Sequence, residues 1–322
     1  PPMRVTGYNF ASCGTYNVVG WTPWAPDPVA VDTLAFAQME LEYGLSRSNF
    51  DFAAVVLAKC PDIKWSGRGW VGIPGFALNM VSSSLDPSFL HEFGHNVGMN
   101  HGARLRQGSR GRAIWETGFI ETYSSSPTGG MVEYGSDVTP MGRGNTPDGH
   151  FVLPSKIILD WVSDADTVQI PLGVSCSPCG PYLLQPIDTG ARVAGTPIGL
   201  RIQTPVQSRY FWIEHRTKVS SGSAIVITSA AYKPDHADGG VVSKSVMVDK
   251  LLEGTAADAY IFPTQTVELD VGEQGNPTPM HVDVTRLIGG LLEVSLRTVA
   301  VVPTPSSPPS SPPFIFQVAA SP

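Results

Sequence analysis

Hydrophobic positions follow helical spacing in the first part of the chain and form short apolar runs farther on. Over residues 28–44, apolar residues recur near helical spacing and stop at Gly44, which predicts a helix. Residues 52–57 form a β-branched apolar run and predict a short buried strand, and residues 68–74 predict another strand. Residues 154–161 predict a further short helix. The first half of the chain therefore mixes helices with strands.

From about residue 164 onward, short apolar stretches recur between turn signals. These stretches are residues 182–184, 198–202, 210–214, 224–228, 241–248, 266–271, 281–284 and 291–296. Such spacing predicts antiparallel β structure in a sandwich-like domain. We therefore predict an α+β protein with a first domain over residues 1–163 and a β-rich domain over residues 164–300. Residues 301–322 contain a Pro/Ser-rich run and predict an extended tail without a core.

One segment has the spacing of a metal site. Residues 91–101 read His-Glu-Phe-Gly-His-Asn-Val-Gly-Met-Asn-His. His91 and His95 are at i and i+4, so on a helix they project from one face and can bind one ion. Gly98 can adopt the left-handed conformation that ends a helix, and the turn brings His101 back as a third nitrogen ligand. Three protein ligands leave a fourth position open, as in catalytic zinc sites.

Glu92 follows the first of these ligands directly. Its carboxylate can there reach a water molecule at the metal without binding the ion, which suits a general base. Asp86 and Pro87 are residue types typical of an N-cap and a first helical position, so they favour a helix here. The alternative is a surface helix with scattered polar residues, but a chance match at all five motif positions is far rarer than a bare H-E-x-x-H. The pattern therefore favours metal-assisted hydrolysis, in which the metal activates a water molecule.

The five-position motif resembles that of the metzincin clan of zinc proteases. That clan carries a methionine-containing turn beneath the metal, and Met141, between Pro140 and Gly142, fits such a turn. The resemblance implies that Met141 is a soft hydrophobic floor under the imidazoles and not a ligand. The alternative is an ordinary loop methionine.

Some metzincins also use a tyrosine two residues after this methionine as an auxiliary oxyanion donor. This chain has Arg143 at that position. Tyr134 and Tyr123 are candidate substitutes, and packing in the core is the alternative role for both. In metzincins the strand before the active-site helix is a sheet edge that pairs with extended substrate, and Trp70–Ile73 is the candidate here. An ordinary strand of the sheet is an equal alternative.

Longer stretches are similar to gametolysin-type proteases of green algae. The similarity is carried by residues 52–61, 65–72, 134–142 and 156–161. It implies a metzincin-like catalytic domain with a mixed twisted sheet and an active-site helix. It also implies a secreted zinc endopeptidase that cleaves hydroxyproline-rich glycoproteins of the extracellular matrix or cell wall. Some relatives with Gln in place of the first histidine prefer copper, so His91 favours zinc.

Composition limits the classes of partner. The net charge of −7 argues against nucleic acid or an anionic membrane as a main partner. No apolar run approaches transmembrane length. The 33 glycines and 29 prolines suggest a loop-rich extracellular protein. No signal peptide is visible at Pro1, so we expect a mature or truncated chain. The sequence does not define the oligomeric state.

The four cysteines are an even number, as expected for disulfides. The predicted pairs are Cys13–Cys60 and a short-loop pair Cys176–Cys179. For the C-x-x-C pair, free thiols and a metal or redox role are the alternatives.

A function of another class is also compatible with the chain. The protein could be a non-catalytic wall-binding or adhesion protein that retains a structural metal site. Glu92 argues against that alternative, because a purely structural site would not require it.

Overall fold

The computed structural model describes most of the chain between residues 28 and 298. The described residues are 28–58, 65–80, 86–106, 130–132, 134–142, 150–190, 192–205, 209–219, 222–231, 246–248, 260–271 and 278–298. The predicted tail at residues 301–322 lies outside these ranges.

The described residues form a mixed α+β structure, as predicted. The helices are α1 (Pro28–Tyr43), α2 (Asp86–Asn96) and α3 (Leu153–Ile158), and single 3-10 turns lie at Arg47–Asn49 and Asp164–Asp166. The strands before α3 are β1 (Ala54–Ala58), β2 (Gly67–Trp70), β3 (Ile73–Met80), β4 (Ala103–Arg106) and β5 (Gly130–Val132). The strands after α3 are β6 (Thr167–Ile170), β7 (Cys179–Leu184), β8 (Gly199–Gln203), β9 (Arg209–Val219), β10 (Gly222–Ala231), β11 (Val246–Val248), β12 (Tyr260–Ile261), β13 (Gln265–Asp270), β14 (Pro279–Ile288) and β15 (Leu291–Thr298). None of the described helices is long and apolar enough to cross a membrane.

Helix α1 agrees with the helix predicted from spacing. It ends where Gly44 takes a left-handed conformation, with φ +67°, and donates its N–H to the carbonyl of Glu40 at 2.9 Å. Glycine adopts this conformation without the steric cost that a side chain carries, so the sequence signal had a direct structural cause.

A three-stranded sheet carries α1 and α2. Its order is β1-β3-β2, with β1 and β3 parallel and β2 and β3 antiparallel. The single strand predicted over residues 68–74 is wrong, because Gly72 (φ +72°) makes a turn that divides it into β2 and β3. The predicted edge strand Trp70–Ile73 is that turn. The strand before α2 is β3, which is central, and the edge strands are β1 and β2.

The largest sheet has eight strands in the order β5-β4-β11-β10-β9-β8-β6, and β12 pairs with β10 beside this path. The pairs β6–β8 and β4–β11 are parallel, so the sheet is mixed and not purely antiparallel as predicted. Strands β4 and β5 come from the predicted first domain and share this sheet with strands of the predicted second domain. Strand β4 begins two residues after His101, so this strand connects the eight-stranded sheet to the metal motif.

A four-stranded sheet, in the order β13-β14-β15-β7, packs against the eight-stranded one. Residues on β14 alternate, so that Met280, Val282 and Val284 are buried while their neighbours are not. They pack in one core with Phe211 and Ile213 of β9. Burying each such side chain stabilises the folded state by about 1.5–3 kcal/mol relative to leaving it exposed. The two sheets enclose this shared core, which agrees with the sandwich-like arrangement that the apolar stretches predicted.

The predicted disulfide between Cys176 and Cys179 is confirmed, with an S–S distance of 2.10 Å. Cys13 and Cys60, the other predicted pair, lie outside the described residues.

A buried ion pair joins the sandwich to the segment before α3. Arg216 and Glu214 of β9 are fully buried and lie 2.7 Å apart. Glu214 accepts the Leu153 N–H at 2.5 Å, and Arg216 donates to the Phe151 carbonyl at 3.1 Å. Because a buried charge is costly unless it is paired and hydrogen-bonded, these contacts fix residues 151–153 against β9.

Asp188 is a second buried charge in the sandwich. Its carboxylate accepts the N–H groups of Lys218 and Thr217 at 2.9 and 2.8 Å, and the Thr217 hydroxyl at 3.0 Å. Burial alone would raise the pKa of Asp188, but these hydrogen bonds and the charge of Arg216 outweigh it and lower the pKa below its ordinary value.

We predict that Asp188→Asn lowers the free energy of unfolding at pH 7 by about 2 kcal/mol, because two backbone donors lose a charged acceptor. A lowered folded-state pKa stabilises the protein above the unfolded value of about 4, and this contribution is lost as the pH falls through the folded pKa. Urea unfolding should therefore show wild type and variant converging at acid pH. Asp166→Asn, which removes an exposed pair with Arg192, should cost less than about 1 kcal/mol. An equal difference at all pH values would contradict this role for Asp188.

Candidate metal centre

Helix α2 and its C-terminal turn bring three histidines together. His91 and His95 lie one turn apart, with ring centroids 4.8 Å apart. The helix ends at Gly98 (φ +93°) in a Schellman motif, with Gly98 N–H bonded to the His95 carbonyl and Met99 N–H to the Gly94 carbonyl. The reversal returns the chain so that the ring centroid of His101 lies 4.8 Å from that of His95.

The ligand atoms of these three histidines converge. They lie within 4.8 Å of one another, and the Nε2 atoms of His95 and His101 are 3.1 Å apart. Two nitrogens on one tetrahedral zinc ion are about 3.3 Å apart, from Zn–N bonds of about 2.0–2.1 Å. Among the described residues, this is the group of His, Cys, Asp or Glu side chains that could hold a metal ion. The donor set therefore fits a metal, and imidazole nitrogen suits zinc, copper, iron and nickel alike.

Backbone carbonyls orient two of the rings. His91 Nδ1 lies 2.7 Å from the Pro140 carbonyl, and His95 Nδ1 lies 2.7 Å from the Met99 carbonyl. A carbonyl can only accept, so each Nδ1 carries the proton and each Nε2 keeps its lone pair for an ion. The carbonyl bonds thus select the tautomer that a metal requires.

Burial also keeps these imidazoles neutral. It lowers the pKa of His91 to about 4, with the bond to Pro140 opposing and the charges of His95 and His101 adding to the shift. Burial likewise lowers the pKa of His95. Neutral imidazole is the metal-binding form, so no proton has to be displaced from these rings at neutral pH.

Glu92 lies beside the cluster and is buried, with 6% of its surface exposed. Burial raises the pKa of Glu92 to about 7, and a hydrogen bond from the Gly69 N–H opposes this shift. A carboxyl group with a pKa near neutrality can accept a proton in one step and return it in the next.

Met141 packs against α2, the helix that carries His91 and His95. It is 1% exposed and packs with Met99 and Phe151. A methyl group at Gly94 in α2 would overlap its sulfur, so this glycine allows the methionine to press against the helix. The Gly102 N–H donates to the Met141 carbonyl at 2.7 Å, which ties the turn to the residue after the third ligand.

Tyr134 is the other predicted site residue that the structure places here. Its ring centroid lies 3.8 Å from that of His101 and 5.7 Å from that of His91. Its backbone is left-handed, with φ +58°, and the side chain is 41% exposed. Tyr134 therefore stands at the solvent side of the cluster. Tyr123 lies outside the described residues.

Three residues near Glu92 were not predicted from the sequence. Gly67 and Gly69 of β2 lie against its side chain, and Asn96 of α2 donates to the Trp70 carbonyl at the end of β2. Two glycines in a strand are a sign of close approach by another group, so the repeated glycine was the available signal. Asn96 carried no comparable signal, because its partners are backbone groups distant in sequence.

Comparisons of the chain with protein-family models, with curated proteins and with solved structures find no match.

We predict that the protein binds one Zn²⁺ or Co²⁺ ion per chain. His101→Ala should weaken binding by more than about 10²-fold, because loss of a ligand costs more than the 10–100-fold typical of a residue that only supports one. Competition with a chromophoric chelator measures this. His281→Ala is the control, since His281 bonds to Glu268 on the four-stranded sheet and should leave affinity unchanged. Wild-type affinity in His101→Ala would contradict the site.

Proposed function

We propose that the protein is a secreted zinc-dependent endopeptidase of the metzincin type, similar to gametolysins. The observation that supports this most directly is the convergence of three imidazoles beside one buried carboxylate. Three protein nitrogens and an adjacent base are the set that metal-assisted peptide hydrolysis needs. Met141, buried against α2 at Gly94, supports the metzincin type.

In this proposal His91, His95 and His101 hold the zinc ion. When bound, zinc polarises the scissile carbonyl and makes water acidic enough to attack at neutral pH. A Glu92 carboxylate oxygen accepts the proton of the attacking water and then delivers it to the nitrogen of the leaving amine. The Gly69 N–H holds that carboxylate on the side of β2.

Strand β2 is the proposed site for the substrate backbone. It is one of the two outer strands of its sheet as described, and it is the one that lies next to Glu92 of α2. An extended peptide can add to such an edge through main-chain hydrogen bonds, so its scissile bond would lie near the histidines.

The substrate class and the location are proposed from the resemblance alone. Gametolysin-type enzymes are secreted and degrade hydroxyproline-rich glycoproteins, so we propose matrix or cell-wall glycoproteins as substrates. The low density of charged residues, 15%, and the high glycine and proline content are compatible with an extracellular protein.

We predict that Glu92→Gln retains zinc affinity within about threefold but lowers kcat/KM by about 10²–10⁴-fold, because the amide keeps the shape of the side chain and cannot accept the proton. Hydrolysis of a fluorogenic peptide library by the zinc-loaded chain measures this and also reports specificity. Glu268→Gln, at an exposed site on the four-stranded sheet, is the control. A Glu92→Gln variant that cleaves at the wild-type rate would refute the role of Glu92.

Tyr134 is proposed to donate a hydrogen bond to the oxyanion that develops on the scissile carbonyl, because its ring stands at the exposed side of His101. Tyr134→Phe should then lower kcat by about 10²-fold with zinc affinity unchanged. Single-turnover kinetics on the same peptides measures the chemical step. If Tyr134→Phe is as active as wild type, Tyr134 acts only through packing.

The non-catalytic alternative predicts a different result. A wall-binding protein with a structural metal site would bind zinc through the same histidines and cleave neither peptides nor isolated wall glycoproteins. Zinc stoichiometry combined with zymography, with and without a chelator, distinguishes the two functions.

A further inference from the structure

Two residues of α2 that are not predicted ligands face the β2–β3 hairpin. Glu92 and Asn96 each follow a histidine of the cluster directly and lie at i and i+4, so they share one face of the helix. That face is turned by about 100° from the face that carries His91 and His95. Both Glu92 and Asn96 are buried. One face of α2 therefore carries His91 and His95, and the adjacent face presents Glu92 and Asn96 to the hairpin.

The Asn96 amide bonds to both strands of the hairpin. Its Nδ2 donates to the carbonyls of Gly75 and Trp70 at 3.0 and 3.3 Å, and its Oδ1 accepts the Gly75 N–H at 2.8 Å. At the turn, the Gly72 N–H donates to the His95 carbonyl at 2.8 Å. These contacts fasten the hairpin to the last turn of α2.

Strand β2 meets the Glu92 carboxylate at two glycines. The Gly69 N–H donates to the carboxylate. A methyl group at Gly67 would lie 2.5 Å from Oε1 and 2.7 Å from Cγ of Glu92, and one at Gly69 would lie 3.1 Å from Oε2. Contacts this short force one group to move, so a side chain at Gly67 would push the carboxylate away from its present position.

We propose that Asn96, Gly67 and Gly69 form a clamp that fixes the orientation of the Glu92 carboxylate. Asn96 holds the hairpin on α2, and the two glycines let β2 approach closely enough for the Gly69 N–H to bond the carboxylate. These are positioning residues, because they act on the reaction only through Glu92. The catalytic consequence rests on the proposed function, whereas the packing of the clamp does not.

The packing is tested by thermal unfolding of the full chain in a double-mutant cycle of Gly67→Ala and Glu92→Ala. Gly67→Ala should lower the Tm by about 5 °C when Glu92 is present. It should lower the Tm by less than about 2 °C in the Glu92→Ala background, because the methyl group then fills the space that the carboxylate leaves. Gly190→Ala is the control, since a methyl group there meets no atom within 4 Å. Equal losses in both backgrounds would overturn the contact.

The catalytic consequence is tested by a second cycle, with Asn96→Ala and Glu92→Gln in the zinc-loaded chain. Asn96→Ala should lower kcat by about 10–10²-fold, the loss expected when a reacting group is misplaced by about 1 Å. In the Glu92→Gln background it should lower kcat by less than about threefold, because residues that act as a unit are not additive. The zinc dissociation constant should change by less than about threefold.

Gln185→Ala is the matched control for Asn96→Ala. The Gln185 amide is also buried, accepts the Val193 N–H, and donates to the carbonyls of Val193 and Thr196 in the sandwich. Its removal should lower the Tm and leave kcat unchanged.

Losses of kcat that multiply in the second cycle, or a loss of zinc affinity above about tenfold in Asn96→Ala, would overturn the positioning role. A wild-type chain that binds zinc but cleaves no peptide would refute the proposed function and the catalytic role of the clamp together. The thermal cycle would then still decide whether the clamp holds the carboxylate.

Discussion

The site depends on aiming three imidazole nitrogens at one point. Helical spacing brings His91 and His95 near each other, but it does not set the rotation of their rings. The carbonyls of Pro140 and Met99 do so, each by accepting from one Nδ1. The turn that contains Pro140 must therefore lie under α2, and it does so because Met141 packs against the helix at a glycine. The positions of the Pro140 turn and of Met141 against α2 are thus tied to the orientation of the histidine rings.

Individual helices and strands were easier to predict from the sequence than the pairing between strands. The ends of α1 and α2 were readable because a glycine with a left-handed backbone ends each of them. The strands of the sandwich were readable because a short apolar stretch between turn signals is a local pattern. The hairpin at Gly72 was missed, since Trp70, Val71 and Ile73 continue an apolar run through the turn. The parallel pairing of β4 with β11 was also missed, because no local pattern indicates which distant strands will meet.

The same limit applies to the site. Histidine ligands at i and i+4 belong to one helix and can be read from spacing. Asn96 and Gly67 could not be read this way, because each has its role through contacts made after the hairpin has folded onto α2. Nor did any motif mark Arg216, whose bond to the Phe151 carbonyl reaches from the sandwich to the segment packed under Met141.

The position of His101 has a mechanical consequence. His91 and His95 belong to a helix that packs on the three-stranded sheet, whereas His101 leads directly into β4 of the eight-stranded sheet. An ion held by all three rings would therefore be a cross-link between two sheets. Its binding energy would stabilise the junction between them, because only the folded arrangement presents all three nitrogens together. Removal of such an ion would therefore also loosen this junction.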